Sequence, residues 1–277
     1  MFEFLLLFLI SIGIGIISSL TGIGGGSFIV PILIMFFNIS THKAIGTSLL
    51  IVIFTAISST FAYYKQKRID YKSGLYLIIG TIPGALIGAY LTNFFSSKEL
   101  ALLFGFFLIF ISFRIIYKAF KKNEYNKNYK EKEVKNKKYY SYVEIIDSKG
   151  EVFKYYANIP FGILFSIFAG ISSGMFGVGG GALAVPIMHI IVGMPMHIAI
   201  ATSMFIMIFT SFSGVIGHIL LGNVLIELAM PLCIGIIFGT QVGALIARKL
   251  KARILEIIFG LILIIISLNL ILKNLMF

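Results

Sequence analysis

The chain has 277 residues, of which 58% are hydrophobic and 12% charged, with a mean hydropathy of +1.00. Soluble domains are nearer half apolar and a quarter charged, so this composition excludes an ordinary water-soluble fold and calls for lipid as solvent. The formal net charge of +12 sits in a linker and at the ends of apolar runs, where the positive-inside rule places it, and does not indicate nucleic acid.

In chain order, the run MFEFLLLFLI lacks a basic leader and a small-residue cleavage site and reads as a retained apolar arm, Phe4–Leu20. The glycine-rich break Gly22-Ile-Gly-Gly-Gly26 follows, then a short apolar arm, Phe28–Phe37. Three full spans come next: Ala44–Tyr64, Gly74–Thr92 and Leu100–Tyr117. Residues 118–158 form a lysine-rich linker, in which Val143–Ile146 and Val152–Tyr156 flank Asp147-Ser-Lys-Gly150 and predict a small β-hairpin with a four-residue turn. The parts then recur: an arm (Ile159–Met175), a break (Gly177-Val-Gly-Gly-Gly181), a short arm (Leu183–Val192) and spans Ala199–Leu221, Ile226–Ala247 and Leu255–Leu272.

The recurrence is a repeat with a fixed offset of 155. Seventeen of the 39 positions in 11–49 are identical to their counterparts, where chance gives roughly four. The sequence therefore predicts an all-α integral membrane protein with a first repeat (1–117), a basic cytoplasmic linker (118–158) and a second repeat (159–277). A short arm of ten residues reaches only about 15 Å and cannot cross a core about 30 Å thick. Arm, break and arm form either one kinked helix or a re-entrant hairpin, and consecutive glycines favour the hairpin.

Charge selects the orientation. Lys65, Lys67, Arg68 and Lys72 follow the first full span of the first copy, whereas Leu221–Leu225 carries no charge; one loop later Arg248, Lys249, Lys251 and Arg253 belong to the second copy. With Lys and Arg inside, the two repeats are inverted; a kinked helix would make them parallel and put 248–253 outside.

Inverted repeats with broken helices are a transporter signature. Free N–H groups at Gly24, Gly25 and Gly26 and at Gly179, Gly180 and Gly181 would present two helix N-termini to a small anion. Thr47, Ser48, Thr202 and Ser203 could add hydroxyls, and Gln241 is polar within a span. The glycines spaced by four, Gly84 with Gly88 and Gly239 with Gly243, read as helix packing. His42 and His197 hold matching places and are candidates for proton coupling or for capping. Asp70 and Glu227 read as interfacial. Cys233 is the single cysteine, so no internal disulfide forms, and neither a metal-ligand pattern, a cofactor motif nor a catalytic constellation is present.

These elements, Gly22-Ile-Gly-Gly-Gly26 to Pro31 with Ala44-Ile-Gly-Thr-Ser48, and Gly177-Val-Gly-Gly-Gly181 to Pro186 with Ala199-Ile-Ala-Thr-Ser203, resemble the TauE/SafE family of sulfite exporter-like permeases. The second copy departs by Ala201 in place of glycine, and the linker is longer and more basic than the family pattern. The resemblance implies a multi-pass protein of a bacterial plasma membrane that exports or takes up sulfite, thiosulfate, a sulfonate or a related anion; alternating access around a midplane site between the two hairpins is the mechanism expected from the repeats. The competing class is a non-transporting membrane scaffold, or a membrane enzyme, whose cytoplasmic linker binds a partner.

Overall fold

The computed structural model describes residues 2–120 and 140–250, with separate helical positions between 254 and 272. Residues 121–139, which include much of the predicted linker, lie outside the described residues. Helix α1 (Phe2–Thr21) is followed by the first glycine break and α2 (Gly26–Phe37). Then come α3 (Thr41–Gln66), α4 (Tyr71–Leu91), a single 3-10 turn and α5 (Ser97–Phe120). A hairpin of β1 (Tyr140–Ile146) and β2 (Val152–Asn158) precedes α6 (Ile159–Phe176) and the second break. Helix α7 (Gly181–Val192), whose second half is π-helical, is followed by α8 (Met196–Leu220) and α9 (Ile226–Lys249).

Five of these helices are long and apolar enough to span a membrane: α3, α4 with its 3-10 turn, α6, α8 and α9. The protein is therefore a mostly helical membrane protein. Its outer surface carries bare apolar side chains such as Phe36, Phe61, Phe110, Phe113 and Leu220, suited to lipid. The full spans run two or three residues beyond most of the predicted boundaries. The breaks begin where expected, because three glycines in each adopt positive φ: Gly22, Gly24 and Gly25, then Gly177, Gly179 and Gly180.

Helices α1 and α9 pack along their length, and so do α4 and α6. The reason is a row of missing side chains. A Cβ on Gly235, Gly239 or Gly243 would lie 2.4, 2.1 or 2.3 Å from the carbonyl oxygens of Phe8, Ile12 and Ile16. A Cβ on Gly80, Gly84 or Gly88 would lie 2.7, 2.4 or 2.2 Å from those of Ile163, Ile167 and Ile171. The two seams match residue for residue at the offset of 155, and each joins an arm of one half to a span of the other. Numbers rise together along each pair, so the paired helices run parallel. Glycine lets the backbones approach to this distance, and in lipid such packing is a principal source of helix association.

The hairpin is longer than the segments read from sequence and its loop has five residues, Asp147–Glu151, in the register Ile146↔Val152. Asp147 organises that loop, its Oδ1 accepting the N–H groups of Lys149 at 2.7 Å and Glu151 at 2.9 Å. The hairpin is also docked. The Arg68 guanidinium donates to Asp147 Oδ2 at 2.9 Å and to Glu151 Oε2 at 2.8 Å, and the first pair is sealed, with side chains 3% and 0% exposed. Ser148 N–H donates to the Gln66 carbonyl at 3.0 Å, and Arg248 donates to Ser148 Oγ at 2.7 Å. Tyr155 is buried and donates to Asp70 Oδ2 at 2.6 Å, so Asp70 is a buried anchor. Burial, then the Asp70 carboxylate, push the Tyr155 phenol well above its usual range, which keeps it a donor.

The end of α3, the start of α4 and the end of α9 thus gather under the hairpin at one face. Replacing Asn123–Lys138 by a flexible segment of similar length leaves every one of these contacts in place. That variant is expected to keep the parent's melting temperature, whereas removal of 140–158 is expected to lower it, as thermal denaturation of both purified proteins would show.

Candidate functional site

Each break closes its preceding helix with one backbone bond, Gly22 N–H to Ser18 O at 2.8 Å and Gly177 N–H to Ser173 O at 2.9 Å. After the breaks, the first N–H groups to find an acceptor are Phe28 and Ile29 on Gly25 O, and Leu183 and Ala184 on Gly180 O. The N–H groups of Gly24, Gly25, Gly26 and Ser27, and of Gly179, Gly180, Gly181 and Ala182, have no acceptor among the described residues. These are the orphan donors that every helix start leaves, here buried in the protein.

The two breaks lie against each other. A Cβ on Gly26 would meet the Gly177 carbonyl oxygen, and one on Gly181 would meet that of Gly22, at 2.0 and 2.2 Å. Between them stand Val52 and Met207, themselves 155 apart: Met207 Sδ is 2.6 Å from the Cβ position of Gly24, and Val52 Cγ1 is 2.4 Å from that of Gly179.

The four predicted hydroxyls are all buried and all cross between the halves. Ser48 Oγ donates to Gly177 O, and Ser203 Oγ lies 2.7 Å from Ile200 O of its own helix and 3.2 Å from Gly22 O across the halves. Thr47 Oγ1 accepts the Leu225 N–H at 2.9 Å, and Thr202 Oγ1 accepts the Asp70 N–H at 3.0 Å. The threonines thus hold the first backbone donors ahead of α9 and α4. Thr202→Val is expected to strand a buried N–H and cost about 1–3 kcal/mol of stability, and Thr47→Val, whose donor is part-buried, to cost about 1 kcal/mol. Thermal denaturation without ligand checks this; a melting temperature unchanged in both would refute it.

The remaining predicted residues are held by the scaffold. Gln241 Nε2 donates to the carbonyl and hydroxyl of Ser58 at 2.7 and 2.8 Å, tying α9 to α3. His42 bonds Ser97 Oγ through Nδ1 at 3.0 Å and the carbonyls of Thr92 and Phe95 through Nε2 at 3.1 Å, closing the loop between α4 and α5. His197 is half-buried near the Phe153 ring, so the two histidines do not share an environment despite their matched positions. Among the described residues no group of three His, Cys, Asp or Glu side chains is placed to hold a metal.

Four further hydroxyls surround the breaks, and sequence reading passed over them. Ser18, Ser27, Ser173 and Ser211 are buried, and the Oγ of each lacks a hydrogen-bond partner among the described residues. Ser18 Oγ lies 2.7 Å from the Cβ position of Gly25, and Ser211 Oγ lies 3.0 Å from that of Gly179. Ser173, the counterpart of Ser18 at the offset of 155, has its Cβ 3.6 Å from that of Gly180. The identity of Ser18 and Ser173 in the repeat is the signal that would have found two of them.

The profile described as "Sulfite exporter TauE/SafE" matches residues 7–270 of the chain. The chain belongs to the TauE/SafE family. This family member is 38% identical over 277 residues to "Probable membrane transporter protein YunE" of Bacillus subtilis, with 97% of each chain covered. It is 32% identical over 281 residues to "Probable membrane transporter protein MJ0441" of Methanocaldococcus jannaschii, covering 95% of this chain and 94% of that one. A third relative, "Probable membrane transporter protein YdhB" of Bacillus subtilis, is 26% identical over 253 residues. No solved structure matches the chain. The family is one of membrane transporters and not of enzymes.

Proposed function

We propose that the protein is a secondary transporter for a small oxyanion, of the sulfur-containing kind suggested by the family description, working by alternating access in the plasma membrane of a bacterium. The observation that carries this reading is the meeting of two glycine breaks, each with unpaired N–H groups at the start of a helix. Free donors in a membrane interior are costly, and an anion satisfies several of them at once. In this reading the ligand lies between Gly24–Gly26 and Gly179–Gly181, while Thr47, Ser48, Thr202 and Ser203 keep the breaks in register.

The moving parts are two inverted repeats, 1–117 and 159–277, each opening with a re-entrant hairpin. Support comes from α4 and α9, which correspond at the offset of 155. Helix α4 starts at the face covered by the β-hairpin and α9 ends there, so corresponding helices run in opposite directions. The face that gathers Lys65–Lys72, the hairpin and Arg248 is the cytoplasmic one by charge. Reporter fusions at Lys130 and Lys251 should report cytoplasm and a fusion at Phe277 the outside; an external Lys251 with a cytoplasmic Phe277 restores the parallel arrangement.

Binding is tested by thermal denaturation across sulfur oxyanions, carboxylates and halides. A true ligand at a hundred times its Kd adds about 2.7 kcal/mol to stability, a readily visible shift. At least one oxyanion should produce it. A panel in which none does, with a folded and monodisperse protein, favours a scaffold.

A further inference from the structure

The breaks are lined by donors that carry no formal charge. Arg68, Asp70, Asp147 and His218 are the buried side chains of the Arg, Asp and His types among the described residues. Arg68, Asp70 and Asp147 are committed to the hairpin face, and His218 bonds the Gly174 carbonyl, ahead of the second break, through Nε2 at 2.8 Å, its Nδ1 without a partner among the described residues. Among the described residues no buried lysine or arginine is available to neutralise a ligand at the breaks. What is available at the breaks, among the described residues, are the N–H groups without acceptors and the hydroxyls of Ser18, Ser27, Ser173 and Ser211, four of the buried hydroxyls that lack a partner.

We infer that these four serines, with the N–H groups of the two breaks, form a site that selects a singly charged oxyanion over a doubly charged one. The inference rests on the anion-site reading above and adds to it the ligand's charge and the side chains that hold it. Each helix N-terminus presents about half a positive charge, so α2 and α7 together offset about one negative charge. The cost of desolvating an ion grows with the square of its charge, so a dianion costs about four times as much as a monoanion of equal size. With no buried lysine or arginine among the described residues to meet the second charge, the dianion is left under-compensated in a low-dielectric site. The hydroxyls fit this role because a serine can donate to an oxyanion without adding charge, and buried polar atoms without partners call for an occupant.

The hydroxyls are separable from the scaffold. Ser48 is spent on the Gly177 carbonyl, Ser203 on the carbonyls of Ile200 and Gly22, and Thr47 and Thr202 on backbone donors, whereas no hydrogen bond among the described residues is lost when Ser18 or Ser173 becomes alanine. Their removal should therefore weaken anion binding without lowering stability, the opposite of the threonine variants.

The test is equilibrium binding to the purified full chain of methanesulfonate, a permanent monoanion, and sulfate, a permanent dianion of similar size and shape. Methanesulfonate should bind at least tenfold more tightly. Sulfite, which interconverts with hydrogensulfite near neutral pH, should gain apparent affinity as pH falls in proportion to the hydrogensulfite present. The Ser18→Ala/Ser173→Ala double variant should lose roughly tenfold to a hundredfold in methanesulfonate affinity at an unchanged or higher melting temperature. If that variant does not fold, the single Ser18→Ala and Ser211→Ala variants carry the same expectation at roughly tenfold each. Sulfate binding as tightly as methanesulfonate overturns the charge inference and leaves the anion site standing. Unchanged affinity in folded serine variants overturns the serine assignment. Binding of no anion at all overturns both this inference and the reading beneath it.

Discussion

Replacing Arg68 by methionine is expected to cost about 3 kcal/mol and to release the β-hairpin from the helical body. The change leaves the Asp147 carboxylate buried without its main partner, and breaking such a pair from one side costs about 3–5 kcal/mol. The lower end applies because Asp147 keeps the N–H groups of Lys149 and Glu151, and Arg248 stands 3.8 Å away. Arg68→Met/Asp147→Asn should recover much of the loss, since no uncompensated charge remains and asparagine still accepts from the turn. Melting temperatures and amide exchange over 140–158 measure both effects; a single-variant loss below about 0.5 kcal/mol would make the pair no better than a surface one.

The same pair sets a pH dependence. Burial alone would raise the Asp147 carboxyl, but the backbone N–H groups of Glu151 and Lys149 and the Arg68 guanidinium outweigh it and hold the group below the ordinary carboxylate range. The folded state therefore binds fewer protons at this site than the unfolded chain. Its stabilisation is fully present above the unfolded value of about 3.9 and is lost as pH falls through the lowered folded value. The parent should lose stability more steeply than Asp147→Asn on acidification below about pH 4.

Gly239→Ala and Gly84→Ala are expected to be at least as damaging, about 3 kcal/mol each, at the top of the usual range for overpacking. The new Cβ would stand 2.1 Å from the Ile12 carbonyl oxygen in one case and 2.4 Å from that of Ile167 in the other. Neither neighbour is a side chain that can swing away, so α1 must separate from α9, or α6 from α4. Gly13→Ala is the control. It lies in α1 just off the seam with none of the described residues within 4 Å of its Cβ position, and alanine should stabilise the helix there by up to about 1 kcal/mol. Equal effects at Gly13 and Gly239 would deny the seam its role.

The seam was legible in the sequence because its cause is compositional: Gly84, Gly88, Gly239 and Gly243 recur every four residues and can serve little else on a helix. The breaks were legible for the same reason, since three glycines in a row lower helix stability and allow positive φ. Partner identity was not legible. Thr47 and Thr202 stand out as matched polar residues, but that they accept from Leu225 and Asp70, about 130 to 180 residues away, depends on how the halves interlock. Arg68 counts as one more basic residue in a topology argument until the hairpin covers it. Ser18 and Ser173 look like ordinary serines bonded to their own helix; their lack of any partner emerges only from coordinates.

The proposed transport carries a small oxyanion across the membrane around the two glycine breaks. Its most direct test is uptake of labelled methanesulfonate or sulfite into proteoliposomes holding the purified chain. Saturable flux above protein-free vesicles is expected, accelerated by the same unlabelled anion on the opposite side and strongly reduced in folded Gly25→Val and Gly180→Val variants. Flux no greater than that of empty vesicles for every oxyanion tried, with the protein folded and inserted, would contradict it.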